Sequence, residues 1–183
     1  MVATKLMTAE ELLERERGEG KSELIEGEYV EMSPTGEVHF VVLRRITEAL
    51  VAYFGANPVG DWWGGELGFV LERDPDTVLA PDLAVTVPRQ PLSAAIAARR
   101  FSERRPILVI EVKSPHETEA QIAQKLGIYL RAGVQQVWWV RPSSRQATIY
   151  TRDDDPLTVD IHGELGGVEA LPGFSIRLSE LFN

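Results

Sequence analysis

Three observations predict a mixed α/β domain, an α+β fold in which helices pack against a mixed β-sheet. Apolar residues recur at three- and four-residue intervals across two long segments, 36–54 and 118–133, as on one face of an α-helix. Short runs rich in valine, isoleucine, threonine and tryptophan, bounded by glycine, proline and aspartate, read as strands. The order of these segments, helix then strands then helix then strands, suits one sheet with helices laid against it. With 183 residues, 44% of them hydrophobic and 26% charged, the chain is long enough to bury a sizeable core, and a single domain over 1–183 is expected.

The first element is a short helix over 8–17. Thr8 and Glu11 in "TAEE" have the spacing of a capping box, which places Leu12 and Leu13 inward. "SELIEGEYVEMS" reads as two strands joined at Glu26-Gly27. In the long helix over 36–54 the inward positions are Val38, Val41, Val42, Ile46, Ala49, Leu50, Tyr53 and Phe54, with Gly55 as its stop. "WWGGELGFVLE" and "TVLAPDLAVTV", separated by "RDPD", should form a hairpin. Residues 88–106 read as a loop with a short alanine-rich helical piece. "TEAQIAQKLGIYLRAG" then reads as a helix ended by Gly133, with Ile122, Leu126, Tyr129 and Leu130 as its apolar stripe. "QQVWWVRP", "QATIYTR" and "LTVDI" are further strands before the closing "LPGFSIRLSELF". Trp138 and Trp139, adjacent on a strand, point to opposite faces; one should be core, and the other is a candidate for an oligomer interface.

Composition excludes several chemistries. The absence of cysteine removes disulfides, thiolate nucleophiles and cysteine-held metal, so any metal must be held by oxygen or histidine. No segment has the length and apolarity of a membrane span or a secretory leader, and a cytoplasmic location with no membrane partner is the expectation. A net charge of −9 weighs against loose, charge-driven contact with nucleic acid, although Arg99, Arg100, Arg104 and Arg105 gather in "AARRFSERRP". A solvated surface is the competing reading of that run. "GEGKS" lacks the preceding strand and the spacing of a phosphate loop, and no serine sits in a glycine-flanked elbow.

The chemistry centres on "ILVIEVKSP". Glu111 and Lys113 project from the same side of a strand, about 7 Å apart along the chain. Burying such charges is costly unless they are paired, hydrogen-bonded or bound to metal. Asp82, in "APDLAV", follows a proline that interrupts a strand ladder, and neighbouring strands would bring it to Glu111. Two converging carboxylates repel unless a cation lies between them. Oxygen ligands suit Mg²⁺ or Mn²⁺, with Lys113 placed to orient water or stabilise charge on phosphate. The reaction class is metal-assisted phosphodiester hydrolysis. A structural ion pair at a strand end is the plainer alternative for Glu111 and Lys113.

"PD" at 81–82 followed by "EVK" at 111–113 resembles the PD-(D/E)XK nuclease signature. More closely, the chain resembles the bacterial Uma-type family of restriction-endonuclease-like proteins, through "ELIEGEYVEMSP", His39, "APDLAV", "LVIEVKSP", "QKLGIYLRAGVQQVWWV" and "LPGFSIRLSELF" in that order. The resemblance implies a restriction-endonuclease-like core, Asp82 and Glu111 as metal ligands for Mg²⁺ or Mn²⁺, and DNA as substrate. It implies a catalytic lysine at Lys113 on the strand or Lys125 on the following helix. Lys125 as a helix lysine reaching to solvent is the alternative. Gln121 stands where the family commonly has an acid, and His39 and Glu23 match further family positions. His39 reads on its own as a satisfied, half-buried histidine, and His116 and His162 as surface residues. A homodimer or higher homo-oligomer is expected, since cutting both strands calls for two copies. The rival from another class is a catalytically idle nucleic-acid- or protein-binding module of the same fold.

Overall fold

The computed structural model describes residues 6–15, 22–65, 67–91 and 100–183. In chain order the elements are α1 (Ala9–Glu14), β1 (Ser22–Ile25), β2 (Glu28–Glu31), α2 (Glu37–Ala56), β3 (Asp61–Gly64), β4 (Phe69–Glu72), β5 (Thr77–Leu79) and β6 (Leu83–Thr86). They continue with β7 (Leu108–Val112), α3 (Glu119–Arg131), β8 (Gln136–Arg141), β9 (Gln146–Tyr150), β10 (Leu157–Val159), β11 (Glu164–Gly166) and β12 (Ser175–Arg177), and end in a 3₁₀ turn (Leu178–Leu181). The large sheet has the order β10-β9-β8-β7-β6-β3, and a smaller sheet has the order β2-β1-β5-β4. Every pairing in the large sheet is antiparallel except β7 with β8, which α3 joins as a crossover. This is the mixed sheet with flanking helices that the sequence predicts.

Strand alternation gives the large sheet two cores. Val85, Leu108, Ile110 and Trp138 face α2, the β11–β12 hairpin and the 3₁₀ turn, and Trp138 stacks on Phe174 with ring centroids 5.9 Å apart. Ala84, Val109, Val137 and Trp139 face α3 and β4. Both tryptophans of the adjacent pair are fully buried, so neither is available to an oligomer interface. A run with apolar residues on both strand faces is what a sheet covered on both sides requires.

Local signals set several elements as expected. Thr8 and Glu11 form the capping box of α1, although only Leu12 turns inward while Leu13 is exposed. Glu26 and Gly27 both have positive φ, the geometry of a two-residue hairpin turn, and β1 pairs with β2 around them. Helix α2 runs past Gly55 to Ala56, and Asn57 ends it by bonding the Tyr53 carbonyl through both backbone and side chain. Its buried stripe is His39, Val42, Ile46 and Leu50, with Val38 exposed. The stripe of α3 is rotated from the expected one: Ile122, Lys125, Ile128 and Tyr129 are buried, and Leu126 and Leu130 are half-buried. The alanine-rich piece in 88–106 and Arg99 fall on residues 92–99, outside the described residues. Among the described residues no helix is long and apolar enough to cross a membrane.

One expectation is corrected in a way that matters for the site. The two segments around "RDPD" do form a ribbon, but each breaks into two strands. The tip, β4 with β5, belongs to the small sheet, whereas the base, β3 with β6, belongs to the large one. The ribbon therefore bends between sheets, between β3 and β4 on one strand and at 80–82 on the other. Pro81 cannot donate to a ladder, and the Gly65 N–H bonds the Asp82 carbonyl at 3.0 Å across the corner. Gly68 lets the bend close: a Cβ there would lie 2.5 Å from Phe101 and 2.9 Å from Val78. Gly68→Ala is expected to cost about 1–3 kcal/mol through overpacking, read as a lower urea midpoint with an unchanged m-value.

Candidate active site

The bend sets Asp82 at the junction of the two sheets, beside the end of β7. Its backbone N–H donates to Glu111 Oε2 at 3.3 Å. Its Oδ2 accepts from the Val112 N–H at 2.9 Å and from His39 Nε2 at 3.0 Å. Residues 82 and 111, 29 positions apart, thus meet across neighbouring strands, through the Asp82 amide and the Glu111 carboxylate. Helix α2 delivers His39 one turn in from its start. His39 is buried rather than half-buried, and its partner is the aspartate. His116 and His162 are exposed, as expected.

Glu111 is held from the other side by α3. Tyr129 donates its hydroxyl to Glu111 Oε1 at 2.6 Å, and Lys125 Nζ lies 3.8 Å from the same oxygen. Residues 125 and 129 are one helical turn apart and share a face. Lys125 is only 5% exposed, so it does not reach to solvent. Its nearer partner is Glu23 Oε2 at 2.9 Å, and Glu23 Oε1 accepts from the Ala80 N–H at 3.0 Å. Glu23 comes from β1 of the small sheet and is fully buried. One ammonium therefore links an acid from each sheet.

Lys113 is placed differently. It lies just past β7, and its Nζ donates to the Glu117 carbonyl at 2.6 Å and sits 3.9 Å from Glu119 Oε1. Arg141, at the parallel end of β8, also reaches Glu119, at 3.1 Å. Of the two candidate lysines, Lys125 is the one beside Glu111. Gln121 uses its side-chain oxygen to accept from the Thr118 N–H and hydroxyl at 2.9 Å, closing the capping box of α3. The arginine run lies at the opposite end of β7 from the carboxylates. There Arg104 pairs with Asp61 at 3.0 Å, both side chains largely covered, and Arg105 bonds the Ala132 carbonyl, so these two arginines are engaged within the fold and are not a freely solvated run.

The electrostatics follow from burial. Burial opposes the charge of Lys125, but the Glu111 and Glu23 carboxylates more than offset it and raise its pKa. Burial, then the charges of Glu111 and Glu23, push the Tyr129 hydroxyl well above its ordinary value, so it stays a donor. Glu117, between β7 and α3, is a group the sequence reading missed. Burial raises its pKa, Lys125 opposes that, and Asp82 adds to it, so Glu117 feels the site's charges from its rim. Its nearest sequence signal is its place between "EVKSP" and the α3 cap.

Could the site hold a divalent cation? Glu23 and Glu111 face the buried Lys125 ammonium, and Asp82 lies buried beside Glu111. Asp82 and Glu111 offer hard oxygen donors of the number Mg²⁺ takes when water completes its shell. Among the described residues no group of three or more histidine or acidic side chains has the geometry to hold a metal by itself. The donor set fits a water-rich Mg²⁺ or Mn²⁺ and not a closed structural zinc site.

The fold is a mixed sheet bent at this corner and flanked by helices. A crystal structure of a putative nuclease from Anabaena variabilis shares it with a TM-score of 0.80 over 96% of this chain and 97% of that one, at 17% identity. Residues 9–179 match the Uma2 family, described as "Putative restriction endonuclease", and the chain belongs to that family. None of the curated proteins compared matches the sequence. Family and fold both support a nuclease.

Two stability outcomes follow from the charges. Lys125→Met removes the ammonium between Glu23 and Glu111 and is expected to cost about 3–5 kcal/mol, as for a broken buried ion pair, measured by urea unfolding at pH 7. Because the Lys125 pKa is raised, its stabilisation is present below the ordinary lysine value and is lost only at higher, strongly alkaline pH. Glu117 has the opposite consequence at neutral pH. Its folded pKa lies above that of an unfolded glutamate, so ionisation detracts from stability as pH rises through the folded value. Glu117→Gln should melt higher than wild type at pH 7, and the two curves should converge toward about pH 4.

Proposed function

We propose that the protein is a Mg²⁺- or Mn²⁺-dependent DNA endonuclease, with Asp82 and Glu111 as metal ligands and Lys125 as the working lysine. The observation that carries this reading is the meeting of Asp82 and Glu111, with Lys125 Nζ 3.8 Å from Glu111 Oε1. When bound, a hard divalent cation supplies Lewis acidity toward a phosphoryl oxygen and an acidified water. The chain's own groups fix the geometry. His39 and the Val112 N–H orient the Asp82 carboxylate, and Tyr129 and the Asp82 N–H orient that of Glu111. Lys125 stays cationic at neutral pH and offers donors where charge develops on a phosphate. Glu23 keeps that ammonium in place instead of leaving it to solvent. Lys113 and Arg141, which share Glu119, would meet flanking phosphates.

The alternative, an idle binding module of the same fold, draws support from the net charge of −9 and from Gln121 being spent on a cap. Nicking of supercoiled DNA by purified protein decides between them. Activity is expected with Mg²⁺ or Mn²⁺ and not with EDTA. Asp82→Ala, Glu111→Ala and Lys125→Ala should each abolish it, and Lys113→Ala should leave a reduced but measurable rate. Millimolar Mn²⁺ should raise Tm in wild type and not in Asp82→Ala. A wild type that neither nicks nor shifts its Tm would leave the binding module as the better account.

A further inference from the structure

The long helix α2 has a second apolar face that none of the described residues covers. Its buried stripe, His39 to Leu50, packs on the large sheet. About a third of a turn away, Phe40, Leu43, Thr47 and Val51 recur at three- and four-residue spacing, a row like the seam of a packed helix pair. Phe40 is 62% and Val51 50% exposed, and a shallow apolar depression runs between them. Single exposed apolar residues need no explanation, whereas an aligned row does. Arg44 and Glu48 stand beside the row and pair with each other along the helix.

We propose that this face is the contact of a two-fold homodimer, with α2 laid antiparallel on α2 of a second copy. The charges select that arrangement. In a parallel pair the two-fold would put Arg44 and Glu48 on the opposite flank of the seam from their counterparts, so neither would meet its opposite charge on the second copy. With a two-fold axis midway between Phe40 and Val51, each Phe40 lies against the second copy's Val51. Arg44 then stands within a residue's rise of the second copy's Glu48, and the reverse. Leu43 and Thr47 flank the axis, and neither is large enough to hold the helices beyond the usual 8–10 Å. One helix face is smaller than the ~800 Å² per partner of a standard interface, so the dimer is a concentration-dependent one.

Sedimentation equilibrium on the full chain tests this. The 20.4 kDa wild type should approach twice its mass as concentration rises to about 0.2 mM. Phe40→Glu should stay monomeric with an unchanged Tm. Arg44→Glu and Glu48→Arg should each be monomeric alone, because each faces its own kind across the axis. Mixed together they should associate, since each then meets the opposite charge; both lack the pair within the helix, so its loss cannot account for the difference. A wild type that is monomeric throughout would mean that something other than a second copy covers this face, and would overturn the proposal. So would a dimer indifferent to Phe40→Glu, or a mixture that fails to associate.

Discussion

The corner at Ala80-Pro81-Asp82 is the constraint on which the site depends. One ribbon has to serve two sheets, and its backbone must leave one ladder before joining the next. Backbone N–H groups freed in that passage need partners, because an unpaired buried donor is costly. Acids meet the need: Glu23 takes the Ala80 N–H and Glu111 takes the Asp82 N–H. The carboxylates that could do chemistry are therefore also those that satisfy the bend. Pro81, which has no N–H to satisfy, occupies the one position between them.

Placing acids there concentrates negative charge in a dry region, and the rest of the site answers that charge. Lys125 is drawn into a helix face that would otherwise be apolar, and Tyr129 brings a hydroxyl that stays protonated beside Glu111. His39 approaches Asp82 from α2. These groups come from the two long helices and the acids from both sheets, so the site exists only once all four have docked.

Much of this was legible in the sequence where the signal is local. The capping box at Thr8, the turn at Glu26-Gly27 and the two long helices are written in neighbouring residues, and the structure keeps them. The convergence of Asp82 and Glu111 was legible from a proline in one strand and a charge at the end of another. What periodicity misread is the inward face of α3, because an apolar count passes over a lysine and cannot know that two acids await it. The split of the ribbon was hidden for a similar reason. Hairpin signals tell which strands pair, not which sheet each half joins, and that choice is made by distant partners such as β1 and β7.

Glu23 shows what such a layout means for motion. The acid sits on β1, in a small hairpin near the start of the chain, tied to the remainder largely through its pairing with β5 and the docking of α1 on Asp76. Short edge hairpins open more readily than the centre of a wide sheet, and they do so without global unfolding. An excursion of that hairpin would carry Glu23 out of reach of Lys125 and release the Ala80 amide to solvent while the six-stranded sheet stayed intact. The chemistry-bearing corner is thus only as persistent as the hairpin that carries Glu23.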